Sequence, residues 1–320
     1  MPIVLTILLI LVGFALLIFG AEWLVSGASA LARKYNISEL AIGLTIVAFG
    51  TSAPELVVNA VASFDGHADI VLGNIIGSNN FNLFIILAVA ALIYPIRVQS
   101  TSAWREVPMS FAITLLFLVL ANDIFSPDAT LTVSRLDGLV LLALFGGFLW
   151  YVATQMKNEP EKEKLPTTQS TGKIWLLIIA GLAGLVIGGK LVVDYGVELA
   201  TYMGISEKII GLTIIAAGTS LPELVTAIVA ALKKKSDIVI GNVIGSNIFN
   251  LLLILPVSSL IRPIAYSPAF NTELIILSAG TLFLFISMLT GKRKHLDRWE
   301  AAILLGFYLS YTVYMILDNF

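Results

Sequence analysis

The sequence predicts an all-α, polytopic membrane protein of ten transmembrane helices, built as two inverted five-helix repeats in which helices 2 and 7 are broken. Three observations carry this expectation. Of 320 residues, 58% are hydrophobic and 12% are charged, about half the charged share of a soluble domain. Apolar runs of about 20 residues, enough to cross a ~30 Å hydrocarbon core as a helix, recur from end to end. Residues 43–87 align without a gap on residues 211–255 at a constant offset of 168, with 28 of 45 positions identical. The net charge of −2 leaves no basic surface to attract nucleic acid, and the absence of cysteine excludes disulfides. Almost nothing remains for a soluble domain. The lipid bilayer is the partner that the composition implies, and no obligatory protein partner is evident.

Apolar windows bounded by charges and turn residues place the spans at 3–32, 38–64, 70–94, 103–121, 136–156, 173–203, 206–232, 237–261, 270–290 and 298–316. The first ends in Ala28-Ser29-Ala30, as a signal peptide would. It lacks a basic leading segment, is too long for a signal peptide's apolar region, and has an internal counterpart at 173–203, so it is read as a helix. The organisation is then a first repeat at 1–156, a polar linker at 157–172 holding Pro160 and Pro166, and a second repeat at 173–320. Five is odd, so the second repeat enters the membrane from the opposite side. Fifteen Lys and Arg follow spans 1, 3, 5, 7 and 9, against three on the other side, Arg135, Lys208 and Arg262. The positive-inside rule makes this a multi-pass protein of the cell membrane with both termini extracellular and the linker cytoplasmic. Trp104, Trp150, Trp175 and Trp299 fall near cytoplasmic span ends, where interfacial anchors belong. Inverted repeats are a signature of secondary transporters, with the site expected near the midplane where the halves meet.

Within span 2 stands Ala48-Phe49-Gly50-Thr51-Ser52-Ala53-Pro54-Glu55, and span 7 repeats it as Ala216-Ala217-Gly218-Thr219-Ser220-Leu221-Pro222-Glu223. Each proline lacks an N–H and clashes with the carbonyl four residues back, and the glycine there lets the backbone unwind. The break is expected to free carbonyls near Ala48 and Gly50 and their counterparts. Such backbone is tolerated at membrane depth only where it is buried in protein or lines a cavity. Thr51, Ser52 and Glu55 add two hydroxyls and a carboxylate, and a second copy doubles the set. Hard cations such as Ca2+ take six to eight oxygens of these types. The plainer alternative is a Pro-kinked helix with a hydrogen-bonded glutamic acid, but a carboxylate at a helix centre costs roughly 3 kcal/mol, and here there are two.

The second element is Gly73-Asn74-Ile75-Ile76-Gly77-Ser78-Asn79 in span 3, matched by Gly241-Asn242-Val243-Ile244-Gly245-Ser246-Asn247 in span 8. Asn74, Ser78 and Asn82 recur every fourth residue, as do Asn242, Ser246 and Asn250, so each helix carries a polar stripe on one face. Ion binding and amide-mediated helix packing are both open for these stripes, most evenly for Asn74 and Asn242. Glu22 and Lys190 share a repeat position and either pair across the repeat axis or reach separate partners. Asp69 and Asp237 are expected as helix caps, and Lys233 to Lys235 as a cytoplasmic anchor. The histidines, His67 and His295, lie in loops, and no nucleophile–base pair, metalloprotease motif or phosphate loop argues for an enzyme or an ATP-driven pump.

Gly50-Thr51-Ser52-Ala53-Pro54-Glu55, Gly73-Asn74 to Asn79 and their span 7 and 8 copies closely resemble the α-repeats of the sodium/calcium exchanger family, within the wider cation/Ca2+ antiporters. The resemblance covers the whole chain and implies one Ca2+ site and several Na+ sites between the halves, with no cofactor. Carried over by position, it implies that Glu55, Glu223 and the main chain at Thr51 and Thr219 coordinate Ca2+. It assigns Ser52, Ser78, Ser220, Ser246 and the carbonyls of Ala48 and Ala216 to Na+, and puts Asn82 in the middle of the cluster. The chain departs at Asn250, where potassium-dependent and some microbial relatives have Asp, and the large regulatory loop of animal exchangers is missing. The function expected is antiport of Na+ against Ca2+ by alternating access, without a need for K+. A proton/Ca2+ antiporter of the same fold and a passive cation channel are the alternatives. The Thr-Ser pairs favour Na+ over protons, which need no hydroxyl cage, and inverted broken helices favour a carrier over a pore.

Overall fold

In a computed structural model, residues 3–97, 103–122, 131–158, 169–203, 216–289 and 295–318 are described. Their helices are α1 (Ile3–Tyr35), α2 (Glu39–Thr51), α3 (Ala53–Asp65), α4 (Ala68–Ile93), α5 (Ala103–Ala121), α6 (Arg135–Asn158), α7 (Thr171–Tyr202), α8 (Ala216–Gly218), α9 (Leu221–Leu232), α10 (Ser236–Ile261), α11 (Phe270–Ser287) and α12 (Arg298–Asp318). Four two-residue strands are β1 (Ile96–Arg97), β2 (Thr132–Val133), β3 (Ile264–Ala265) and β4 (His295–Leu296). Six of these helices are long and apolar enough to cross a membrane, and α2 with α3 makes a seventh if the bent pair is one span. The chain is thus a multi-pass, mostly helical membrane protein. The Gly211–Ile214 copy of the repeat, most of the linker and Lys208 lie outside the described residues.

Glycine determines how α1 and α7 meet. A Cβ on Gly20 would sit 2.8 Å from the Gly181 carbonyl and from the Leu185 nitrogen, and one on Gly184 would sit 3.2 Å from the Gly20 Cα. Gly13 faces Gly188 and Gly27 faces Ile178, so the two helices run antiparallel with their backbones in contact. Inside this layer lie α4 and α10. Across their most apolar stretches 94% of α10 and 72% of α4 residues are buried, against 22% for α1. Helices α4 and α10 meet each other through Asn79, Asn82, Asn247 and Asn250, whereas Ser78 and Ser246 turn toward Ser220 and Ser52.

Loops gather at two ends. At one end Lys235 pairs with Glu39 at 2.6 Å, Lys233 with Glu22 at 3.6 Å, the Arg97 amide donates to Ser236 Oγ at 3.1 Å, and β1 pairs antiparallel with β4. At the other end β2 pairs with β3, and Asn122 and Asn271 exchange side-chain hydrogen bonds of 2.8 and 2.9 Å. There the buried Tyr266 donates to Asn271 at 2.6 Å, and burial pushes its phenol up to about 12. Two arginines fasten these ends reciprocally. Arg135 donates to the carbonyls of Leu260 and Ile261 at the end of α10, and Arg298 to those of Leu92 and Ile93 at the end of α4. Each supplies donors and positive charge where a helix leaves its last carbonyls unpaired.

Several expectations change. Asp69 and Asp237 are not caps: the N-cap positions belong to His67 and Lys235, and both aspartates lie in the first turn, where a negative charge suits the helix dipole. Glu22 and Lys190 do not pair with each other. Glu22 reaches Lys233, while Lys190 takes Asp194 one turn along its own helix at 3.0 Å. Lys233 and Lys235 each make an ion pair, with Glu22 and Glu39. The indoles of Trp150, Trp175 and Trp299 are exposed, and the side chain of Trp104 lies outside the described residues.

Candidate functional site

The break in span 2 is real and local. Helix α2 carries a π-helical stretch at Gly43–Val47, ends at Thr51, and is separated from α3 by Ser52 at φ −84° and ψ 7°; α2 and α3 are bent by 47°. Pro54 lies in the opening of α3, where its missing N–H is harmless and its fixed φ suits the helix. Helix α9 begins the same way, with Ser220 at φ −88° and ψ 7° ahead of Pro222. Glu55 and Glu223 consequently occupy first turns, at the positive ends of half-helices, which favours their carboxylates. One expectation is corrected: the Ala48 carbonyl is not free, since it accepts from the Ser52 amide at 3.0 Å. The Thr51 hydroxyl also lies within donating distance of it at 3.3 Å, whereas Pro54 supplies no N–H to Gly50. The Ala216 side chain lies outside the described residues.

The two breaks face each other across α4 and α10. Ser52 Oγ lies 3.0 Å from both Glu223 Oε1 and Ser246 Oγ, and Ser220 Oγ lies 3.4 Å from Glu55 Oε1 and 3.3 Å from Ser78 Oγ. Thr51 donates to Asn242 Oδ1 at 3.1 Å, and Thr219 to Asn74 Oδ1 at 3.5 Å. The structure therefore brings together the side chains of Thr51, Ser52, Glu55, Ser78, Thr219, Ser220, Glu223 and Ser246. Asn82 and Asn250 stand on α4 and α10 where each helix opens into a π-helical stretch, Asn82–Ile86 and Asn250–Ile254. Such stretches are rare and favour functional positions. Asn74 and Asn242 turn out to brace the site: Asn242 also donates to the Glu223 carbonyl at 3.3 Å, and Asn74 also accepts from Ser78 at 3.1 Å.

Burial makes this arrangement demanding. Glu55 is 2% exposed and Glu223 1%. Four oxygens, Glu55 Oε2, Glu223 Oε2, Asn82 Oδ1 and Asn250 Oδ1, are buried with no hydrogen-bond partner among the described residues. Each unpaired buried acceptor costs about 1–3 kcal/mol, more if charged. Carboxylate and amide oxygens such as these are the ligands a hard cation prefers. No group of three or more His, Cys, Asp and Glu that could hold a metal ion occurs among the described residues, so a cation at the two carboxylates would draw its other ligands from neutral oxygens.

Two residues have no role in the sequence reading. Asn79 and Asn247 meet across the centre, each amide donating to the other's main-chain carbonyl at 3.4 and 3.2 Å. Both stand one residue beyond Ser78 and Ser246, off the stripe that a four-residue period picks out. The available signal was their shared repeat position, since the offset of 168 separates them.

Comparison with known proteins places the chain as a whole. The profile of the family described as sodium/calcium exchanger protein matches residues 5–154 and 173–317. The chain belongs to the sodium/calcium exchanger family. Members are secondary transporters and not enzymes, and the cations they exchange are substrates. CaxA of Alkalimonas amylolytica is 39% identical over 316 residues, covering 94% of this chain and 96% of that one. The sodium/calcium exchanger MaX1 of Methanosarcina acetivorans is 32% identical, covering 96% and 97%. A solved structure of the sodium-calcium exchanger NCX_Mj superposes with a TM-score of 0.84 at 32% identity, covering 96% of this chain and 97% of that one. For this family member, the buried oxygen cluster is the candidate cation site.

Proposed function

We propose that the chain exchanges Na+ for Ca2+ by alternating access, without needing K+. The carrying observation is the reciprocal contact of each buried glutamate with a serine of the opposite broken helix. With both carboxylates ionised the site holds about two negative charges. One Ca2+ neutralises them, or several Na+ replace it using the hydroxyls beside them. Both ions need the same oxygens, so their binding is mutually exclusive, as obligatory exchange requires. An empty site leaves two desolvated carboxylates, which opposes reorientation without cargo. Glu55, Glu223 and the main chain at Thr51 and Thr219 are assigned to Ca2+. Ser52, Ser78, Ser220, Ser246 and the carbonyls of Ala48 and Ala216 are assigned to Na+, with Asn82 and Asn250 between them. Because Asn250 is neutral, no third charge calls for K+.

The same reading takes the chain as ten spans in two inverted repeats, 1–156 and 173–320, joined by a cytoplasmic linker with both termini outside. The antiparallel packing of α1 on its repeat counterpart α7 supports inversion. So does the sorting of contacts between loops, where odd-numbered loops meet odd and even meet even. Helices α1 and α7, joined through their glycines, form the unit that slides past the rest. The test is Ca2+ uptake into proteoliposomes of the purified protein, driven by a Na+ gradient or, separately, by a pH jump. Uptake with Na+ and none with the pH jump is expected; uptake with the pH jump alone would assign the counter-ion to protons.

A further inference from the structure

We infer that Asn79 and Asn247 form an amide clamp that turns the carbonyl ends of Asn82 and Asn250 toward the cations and so sets the cation affinity of the site. The inference rests on reading that cluster as the cation site. A carboxamide has an acceptor at one end and a donor at the other, and the two ends are nearly the same shape. What orients it is the chain of bonds it joins. Here each chain starts at a main-chain carbonyl, which can only accept. The Asn247 carbonyl takes Asn79 Nδ2 at 3.4 Å, so Asn79 Oδ1 points the other way and accepts Asn250 Nδ2 at 2.8 Å. In the reciprocal chain the Asn79 carbonyl takes Asn247 Nδ2 at 3.2 Å, and Asn247 Oδ1 accepts Asn82 Nδ2 at 3.0 Å.

Both chains end on Asn250 Oδ1 and Asn82 Oδ1, two of the four buried oxygens without a partner. A flipped Asn82 or Asn250 would present N–H groups to a cation, exchanging attraction for repulsion. All four asparagines are 0–2% exposed, so water does not stand in for a lost bond. Each clamp residue acts on the liner from the other half of the chain: Asn79 on Asn250, and Asn247 on Asn82. Asn79 and Asn247 are thus positioning residues that hold the ligands in register across the seam between the halves.

The test exploits the symmetry of a carboxylate, whose two oxygens are equivalent and need no orienting. Na+-driven Ca2+ uptake is measured in proteoliposomes for wild type, Asn79→Ala, Asn250→Asp and the double variant, with Asn247→Ala and Asn82→Asp as the mirror set. Melting of each purified protein is followed against Ca2+ concentration. Asn79→Ala is expected to raise the Ca2+ concentration for half-maximal uptake about tenfold, the effect of one well-made hydrogen bond, with the maximal rate changed less than about twofold. In the Asn250→Asp background the same truncation is expected to shift it less than about twofold, the non-additivity of a coupled pair. An equal penalty in both backgrounds, an unchanged half-saturation in Asn79→Ala, or failure of both alanine variants to fold would make these amides packing struts and overturn the clamp. Wild type that binds Ca2+ in the melting assay but shows no Na+-driven uptake would remove the exchange reading alone, and the melting midpoints of the same variants would then decide the clamp. Wild type whose melting responds to neither Ca2+ nor Na+ would remove both.

Discussion

Ser52 Oγ lies 3.0 Å from Oε1 of Glu223, a residue 171 positions away, and the reciprocal contact, Ser220 Oγ to Glu55 Oε1, is 3.4 Å. Each broken helix thus supplies the hydroxyl that meets the carboxylate of the other. A charge at either glutamate is felt through both breaks, and a cation that binds one half must engage its counterpart. This cross-connection gives the following expectations their direction.

Removing either charge while keeping shape should stop transport. Glu55→Gln and Glu223→Gln each lose one of two carboxylates that neutralise a divalent ion, and each is expected to lower Na+-driven Ca2+ uptake at least about thirtyfold, the scale of a loss of about 2 kcal/mol or more at a buried charge contact. Both variants should elute as folded protein in detergent. Uptake near the wild-type rate by either one would withdraw the assigned role.

Protons should compete with cations for the same oxygens. Lowering external pH is expected to raise the Ca2+ concentration needed for half-maximal uptake while saturating Ca2+ restores the rate. The check is a set of uptake curves at several pH values. A fall in maximal rate that Ca2+ does not rescue would place the proton effect elsewhere.

Potassium dependence turns on one side chain. Wild-type uptake in choline medium is expected to be the same with and without K+, since both amides at positions 82 and 250 are neutral. Asn250→Asp adds a third negative charge and is expected to make uptake respond to K+. Collapse of wild-type flux when K+ is withdrawn would contradict the charge argument.

Topology is open to direct labelling because the chain has no cysteine. Asp65→Cys and Lys234→Cys, both at exposed positions, are expected to react with an impermeant thiol reagent from opposite faces of the membrane. Reaction of both from one face would remove the inverted repeat.

The contact between α1 and α7 should tolerate no side chain. Gly20→Val places methyl groups against the Gly181 carbonyl and the Leu185 amide and is expected to cut uptake at least about fivefold, the scale of roughly 1–3 kcal/mol of overpacking. Gly146→Val, at a glycine with nothing within 4 Å, is the control expected to leave uptake unchanged. Equal activity of the two variants would show that close approach of the backbones is not needed.

The multi-pass helical character was legible in the sequence, because apolar length acts locally along the chain. The breaks at Ser52 and Ser220 followed from Pro54 and Pro222, whose missing N–H and ring clash operate within one turn. The pairing of Glu22 with Lys233 instead of Lys190 was not legible, since the choice depends on how far apart two helices hold their side chains. Likewise the π-helical stretches beginning at Asn82 and Asn250 leave no periodic trace in the sequence. The bonding of the Ala48 carbonyl to the Ser52 amide reflects where the helix resumes, and the proline alone does not determine that.

By itself the sequence determined the chemistry available: two carboxylates, six hydroxyls and the asparagines of two duplicated motifs, in segments too apolar to lie in water. Those are properties of composition, period and repeat, and each depends on neighbours within a few residues. Only the tertiary structure decided which oxygen meets which. Asn79 and Asn247 stand beside the polar stripes, and nothing in the sequence around them marks a role until the two halves are packed together. Then each comes opposite the other's main-chain carbonyl, an acceptor that cannot donate, and that single constraint orients the amides beside them. Contacts between residues 168 positions apart arise from the packing of one half against the other, and no local pattern encodes them.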